Sequence, residues 1–274
     1  MRTLIVIMAV AASLSSVTAV FSAEDPITYT RFLVPLNVAR APGAYGSIWE
    51  LESWVHYAGD ALAEIVPSPG ICVVTCPVGL SRAVFEPGWS PLPVFDFVDV
   101  PTWAESGVLY HVDSRYAQHI TFASRIRDIS HEAETTGTEV PVIREEGLST
   151  RPVRLLNVPI TASSRNMLRI YALPEVADPE VDVRFYRNPE HSSGIDRSIV
   201  LLSSRRIALR TFPALEGFLL QPSFAQIGAW ESLPELSGER AVWIEVAPVT
   251  PGLRVWAFVS VTNNETHQVT IVTP

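Results

Sequence analysis

The chain has 274 residues, of which 47% are hydrophobic and 18% charged, with a formal charge of −9. That balance supplies a sizeable core and excludes a disordered chain, while the acidity and a pI near 5.2 argue against a nucleic-acid partner, which needs a cationic face. All twenty basic residues are arginine, the mark of a GC-rich coding sequence and so of a bacterial source, with no bearing on function.

The chain opens on "MRTLIVIMAVAASLSSVTAVFSAEDP". Arg2 gives a positive start, Leu4–Ala12 an apolar stretch, and Val17 and Ala19, or Phe21 and Ala23, a small-residue cleavage pattern, which together read as a signal peptide over residues 1–23. The apolar stretch is short for a bilayer span of ~20 residues, and no later segment is long enough to make a transmembrane helix. The expected location is therefore secreted, periplasmic or cell-surface. Next comes "ITYTRFLVPL" (27–36), a strand that, left unpaired, would complete the sheet edge of a neighbouring copy.

"IWELESWVHY" (48–57) alternates strictly, with Trp49, Leu51, Ser53, Val55 and Tyr57 on one face and Glu50, Glu52, Trp54 and His56 on the other. The cysteines, Cys72 and Cys76, follow in "ICVVTC", and in an exported protein such a pair points to a disulfide bond. Along an extended strand four steps cover ~13 Å, whereas bridged Cα atoms lie within ~7 Å, so a bridge requires a tight loop here. The rival reading, half of a metal site, needs further ligands, and none is nearby in the sequence.

The period of two continues through "NMLRIYAL" (166–173), "EVDVRFYR" (180–187) and "RAVWIEV" (240–246), as expected of antiparallel strands with one wet face. The chain ends on "VWAFVSV" and "QVTIVTP" around the turn "TNNET", a hairpin in which Asn263 and Asn264 are the residues that tolerate a left-handed turn. Helical periodicity is weak throughout, and the 22 prolines and 14 glycines fall mostly between apolar runs. The fold class is all-β, with many short strands joined by turns.

The two halves resemble each other. "GVLYHVDSRYAQHITFASRIRD" (107–128) lies on "AVWIEVAPVTPGLRVWAFVSVTN" (241–263), with one extra residue in the later turn, and 31–59 is matched loosely by 154–173. The expectation is two tandem antiparallel β-sandwich domains, 24–147 and 152–274, linked by the polar "REEGLSTRP" (144–152). One large sandwich is the alternative. The stretches "APGAYGSIWELESWVHYAGD", "SRIRDISHEAETTGTEVPVI", "LLNVPI" and "FVSVTNNETHQVTIVTP" resemble modules of secreted bacterial proteins. The resemblance implies tandem immunoglobulin-like sandwiches and brings no catalytic residues to transfer.

No nucleophile elbow, P-loop, zinc-protease or dinucleotide motif occurs, and the sequence calls for no cofactor. His111 and Asp113 share a strand face, and His119 lies across the following turn; a metal site is one reading of the three, ordinary strand surface the favoured one. Glu50 and Glu52 share a face as a glycosidase pair would, but alternating glutamates are also what a wet sheet face looks like. The aromatic residues carry more. Trp54 stands with Glu50 and Glu52, Trp243 with Glu245, and Trp256 with Phe258, so each set forms either a ligand-binding face or a packed interface. The sequence therefore predicts a non-enzymatic binding, adhesion or cell-surface assembly protein whose partner is a protein or a glycan. The alternative is a carbohydrate-binding module or carbohydrate-active enzyme using Trp54, Trp243 or Trp256 as stacking platforms.

Overall fold

The computed structural model describes residues 27–36, 41–69, 80–92, 106–131, 136–188, 199–214, 217–230 and 233–274. The signal-peptide reading of 1–23 and the pairing of Cys72 with Cys76 lie outside the described residues. Within them the chain is all-β, built of several antiparallel sheets, with no helix as long as seven residues. Among the described residues no helix is long and apolar enough to cross a membrane.

The first set of strands is β1 (Tyr29–Val34), β2 (Ala41–Pro42), β3 (Ile48–Tyr57), β4 (Ala63–Pro69), β5 (Leu80–Phe85), β6 (Gly88–Pro91), β7 (Val108–Asp113), β8 (Ile120–Asp128), β9 (Thr138–Glu139) and β10 (Ile143–Arg144). The second is β11 (Val153–Pro159), β12 (Ser164–Ala172), β13 (Glu180–Arg187), β14 (Leu201–Ala208), β15 (Ser223–Gly228), β16 (Ala241–Pro248), β17 (Val255–Asn263) and β18 (Val269–Val272). Strands of the first set form one sheet in the order β10-β1-β7-β4-β5 and another in the order β2-β3-β8-β9, with β6 also on β3. Strands of the second set form sheets β11-β16-β13-β14 and β15-β12-β17-β18.

The two sets have the same plan. The order β1-β7-β4-β5 repeats as β11-β16-β13-β14, and β6-β3-β8-β9 repeats as β15-β12-β17-β18. The central ladders match pair for pair: nine pairs join β3 to β8, from Tyr57–Ile120 to Trp49–Asp128, and nine join β12 to β17, from Ala172–Val255 to Ser164–Asn263. Period-two alternation is what makes this possible, since a slip of one residue would turn every core side chain outward.

The core of the second set lies between its two sheets, where Leu168, Ile170, Val183, Phe185, Ile244 and Val259 are fully buried. The first set has its own core around Leu33, Leu51, Val55, Ile65, Leu109 and Val112, and that core continues onto Tyr171, Phe224, Trp256 and Phe258 of the second set. Around Tyr171, Phe224, Trp256 and Phe258 the sheet β15-β12-β17-β18 is thus covered on both faces. This explains why β17 is buried at Trp256 and Phe258 as well as at Val255, Ala257 and Val259, although its alternation suggested one wet face.

Polar contacts pin the same junction. The Tyr171 hydroxyl donates to the Pro35 carbonyl, and the Leu109 amide donates to Leu220 O at 2.7 Å. Arg31 binds Glu145 through Nε and Nη2 at 2.8 and 2.7 Å and also pairs with Glu175. At the far end Asp128 Oδ2 lies 3.0 Å from His267 Nδ1, both residues buried. Gly107 sits at φ +74°, where a Cβ would come within 2.5 Å of Val34 O, so only glycine allows β7 to start this close to the end of β1.

Two expectations are corrected here. The segment 27–36 has no free strand to donate, because β1 is hydrogen-bonded to β7 on one side and β10 on the other. The terminal hairpin forms as predicted, with Val259–Val272 to Thr262–Val269 paired, but the left-handed residue is His267 at φ 56°, not Asn263 or Asn264. Asn263 serves instead through its side chain, whose Oδ1 accepts from the Glu265 and Thr266 amides at 2.8 and 2.9 Å.

Candidate functional site

The outward face of β3 carries Glu50, Glu52, Trp54 and His56, since its other face supplies Leu51, Ser53, Val55 and Tyr57 to the interior. Trp54 is 43% exposed. Across the ladder, β6 sets Trp89 opposite His56 and Pro91 opposite Trp54, so Trp89 is the diagonal neighbour of Trp54. Trp89 is 59% exposed, and its ring lies 4.9 Å from that of His56 at an interplanar angle of 42°. Trp54, His56 and Trp89 therefore form one open aromatic surface on a rigid ladder. Trp89 was missed in the sequence because "PGWSP" reads as turn residues; only the pairing of β6 with β3 reveals the face it shares.

The carboxylates of this face are already engaged. Arg127 Nη2 lies 2.8 Å from Glu52 and 3.4 Å from Glu50, as the ladder register Glu50–Arg127 and Glu52–Arg125 allows. The pair belongs to a half-exposed ion network worth at most about 1 kcal/mol, not to a cleft.

The Trp243 face differs. Glu245 is buried and held by Arg154 Nε at 2.9 Å and Arg184 Nη1 at 3.1 Å. Arg184 reaches Asp182 as well, and Arg206 pairs with Asp182 at 3.0 Å. The hydrogen bond to Glu245 leads in holding the Arg184 guanidinium charged, and the Arg206 hydrogen bond leads in keeping the Asp182 carboxyl below its usual range. Trp243 is half-buried beside this network, against Tyr186 and Ile199 in a cavity of about 210 Å³. It presents no flat open ring.

Trp256 and Phe258 stand on neither kind of face. They are 5% and 0% exposed and pack with Tyr171, whose ring is stacked on that of Phe258 at 8°. The ligand-binding reading of this pair is replaced by the packing one: the sheet bearing them is capped by the first strand set. The contrast with Trp54 is informative. In the matched ladders His56 takes the place of Tyr171, Trp54 that of Arg169 and Trp89 that of Phe224. A face that is covered in the second set is open in the first.

The His111, Asp113 and His119 grouping is not assembled. His111 is buried between Tyr29 and Phe218, at ring distances of 6.3 and 5.3 Å. Its burial, helped by nearby Arg31, lowers its pKa to about 4. Asp113 accepts from Arg115 Nε at 2.9 Å, and that bond holds its carboxyl below the usual range, while His119 is exposed. Among the described residues no cluster of three metal-ligating side chains occurs. No protein family, no curated protein and no solved structure matches the chain.

Proposed function

We propose that the chain is a secreted, non-enzymatic protein of tandem immunoglobulin-like sandwiches that acts in binding, adhesion or cell-surface assembly, with the Trp54–Trp89 face as its contact surface. The observation that carries this is the inequality of two matched faces: the one bearing Tyr171 and Phe224 is covered, and the one bearing His56 and Trp89 is open. Exposed tryptophans on a rigid sheet lose little entropy on binding and present large apolar area. The leader-like residues 1–23 support export, and the ion-paired state of Glu50, Glu52 and Glu245 supports a role other than acid–base chemistry.

A carbohydrate ligand is the second reading. It is favoured by the diagonal placement of two exposed indoles, whose faces suit the C–H face of a sugar ring. The experiment is a glycan array and a panel of soluble polysaccharides, probed with the intact chain, with Trp54→Ala/Trp89→Ala and with Trp243→Ala. Binding lost in the double variant and kept in Trp243→Ala is the expected result. Binding undiminished in the double variant removes this face from the account, and an array without signal for the intact chain removes the carbohydrate reading.

A further inference from the structure

Inside the chain a tip of the first strand set rests on a face of the second, and the chain carries a second tip and a second face of the same kind. The tip in use is Val34-Pro35-Leu36, at the end of β1. Pro35 O accepts from the Tyr171 hydroxyl, and Val34 and Leu36 are buried in one core cluster with Tyr171, Phe224, Trp256 and Phe258. The matching tip of the second set ends β11 and reads Val158-Pro159-Ile160. The registers agree, since Val34 pairs with Val108 at the start of β7 and Val158 with Val242 at the start of β16.

The two tips differ in what covers them. Leu33, Leu36 and Leu109 are all buried, and the Leu109 amide donates to Leu220 O of the second set. At the second tip Ile160 is half-buried and Thr161, Ala162 and Ser163 are exposed. Trp243, which holds the place of Leu109, is half-buried, and Leu156 in the β11 bulge opposite it is 52% exposed. The faces differ in the same way: Tyr171 and Phe224 are covered, while His56 and Trp89 in their places are open beside Trp54. One contact between two similar units therefore leaves over the face of the first unit and the tip of the second. Both leftovers carry exposed apolar side chains, with tryptophans as the natural anchors of a contact. Two unlike surfaces that fit each other join copies head to tail, and such a contact propagates instead of pairing off.

We propose that the partner of the Trp54–Trp89 face is a second copy of this chain, docked through the Val158-Pro159-Ile160 tip of its second strand set, so that the internal junction is repeated between molecules. This names the partner of the contact face argued above and rests on that reading. No strand is exchanged, since β1 is paired on both sides. Sedimentation velocity of the intact chain over a range of concentrations tests it, with Trp54→Ala/Trp89→Ala as the face variant and Leu156→Asp/Ala162→Arg as the tip variant. All four positions are exposed, so both variants should keep the thermal midpoint. The intact chain should form a concentration-dependent series that runs past the dimer. Each variant alone should be monomeric, and an equimolar mixture of the two should stop at the dimer, because it holds one intact tip and one intact face. A monomeric intact chain, association kept in either variant, or a mixture that stays monomeric each overturns the proposal. An intact chain that stops at the dimer and loses it only in the face variant pairs face to face, which overturns it as well. A monomeric chain whose glycan binding is lost with Trp54 and Trp89 overturns the self-docking alone and leaves the contact face standing.

Discussion

Replacing Asp128 with Asn tests whether the junction between the strand sets is held by a buried charge. Asp128 Oδ1 accepts from the Ile48 amide at 3.0 Å, the Ser130 amide at 2.9 Å and Ser130 Oγ at 2.6 Å, and Oδ2 faces His267 Nδ1 at 3.0 Å. Burial alone raises its pKa, but these hydrogen bonds outweigh burial and bring the carboxyl from 3.8 to about 2. At ~1.36 kcal/mol per pKa unit, the ionised carboxylate contributes about 2 kcal/mol. The folded pKa lies below the unfolded one, so this contribution is complete above about pH 4 and is lost as the pH falls towards about 2. Urea unfolding of both proteins between pH 7 and pH 2.5 measures it. Asp128→Asn should be less stable by about 2 kcal/mol at pH 7, with the gap closing in the acid limb. A gap that is constant across this range, or one under about 0.5 kcal/mol at pH 7, refutes the reasoning.

Other expectations follow from the same contacts. His111 has a folded pKa of about 4 against 6.5 for the free side chain, so unfolding takes up a proton between those values and stability falls as pH drops from about 6.5 to 4. His111→Leu should flatten that window of the stability profile, measured by urea midpoint. Trp256→Ala, at the buried junction, should cost about 3–5 kcal/mol, while Trp54→Ala at an exposed position should stay within about 0.5 kcal/mol; thermal and chemical unfolding separate the two. Gly107→Ala should lower the thermal midpoint, because the new methyl meets Val34 O and the backbone must leave φ +74°.

Period two was enough to read the strands, the terminal hairpin and the faces of β3, because alternation states which side chains lie together. The overlay of 107–128 on 241–263 was legible for the same reason, and it falls on β7–β8 and β16–β17, which hold equivalent places in their sheets. Alternation does not state what lies opposite a face. Glu50 and Glu52 looked free until the register of β3 with β8 brought Arg127 to them. His267 is a turn residue in the sequence, and its partner Asp128 is 139 positions away.

By itself, then, the chain's composition and pattern determined an all-β body, acidic and rich in buried alternating strands, since those depend on local geometry and on the total apolar content. Tertiary structure decided that Trp256 and Phe258 are covered and that Trp54 and Trp89 are open. The physical reason is that burial and charge pairing are properties of two surfaces meeting, and a one-dimensional pattern specifies only one surface at a time.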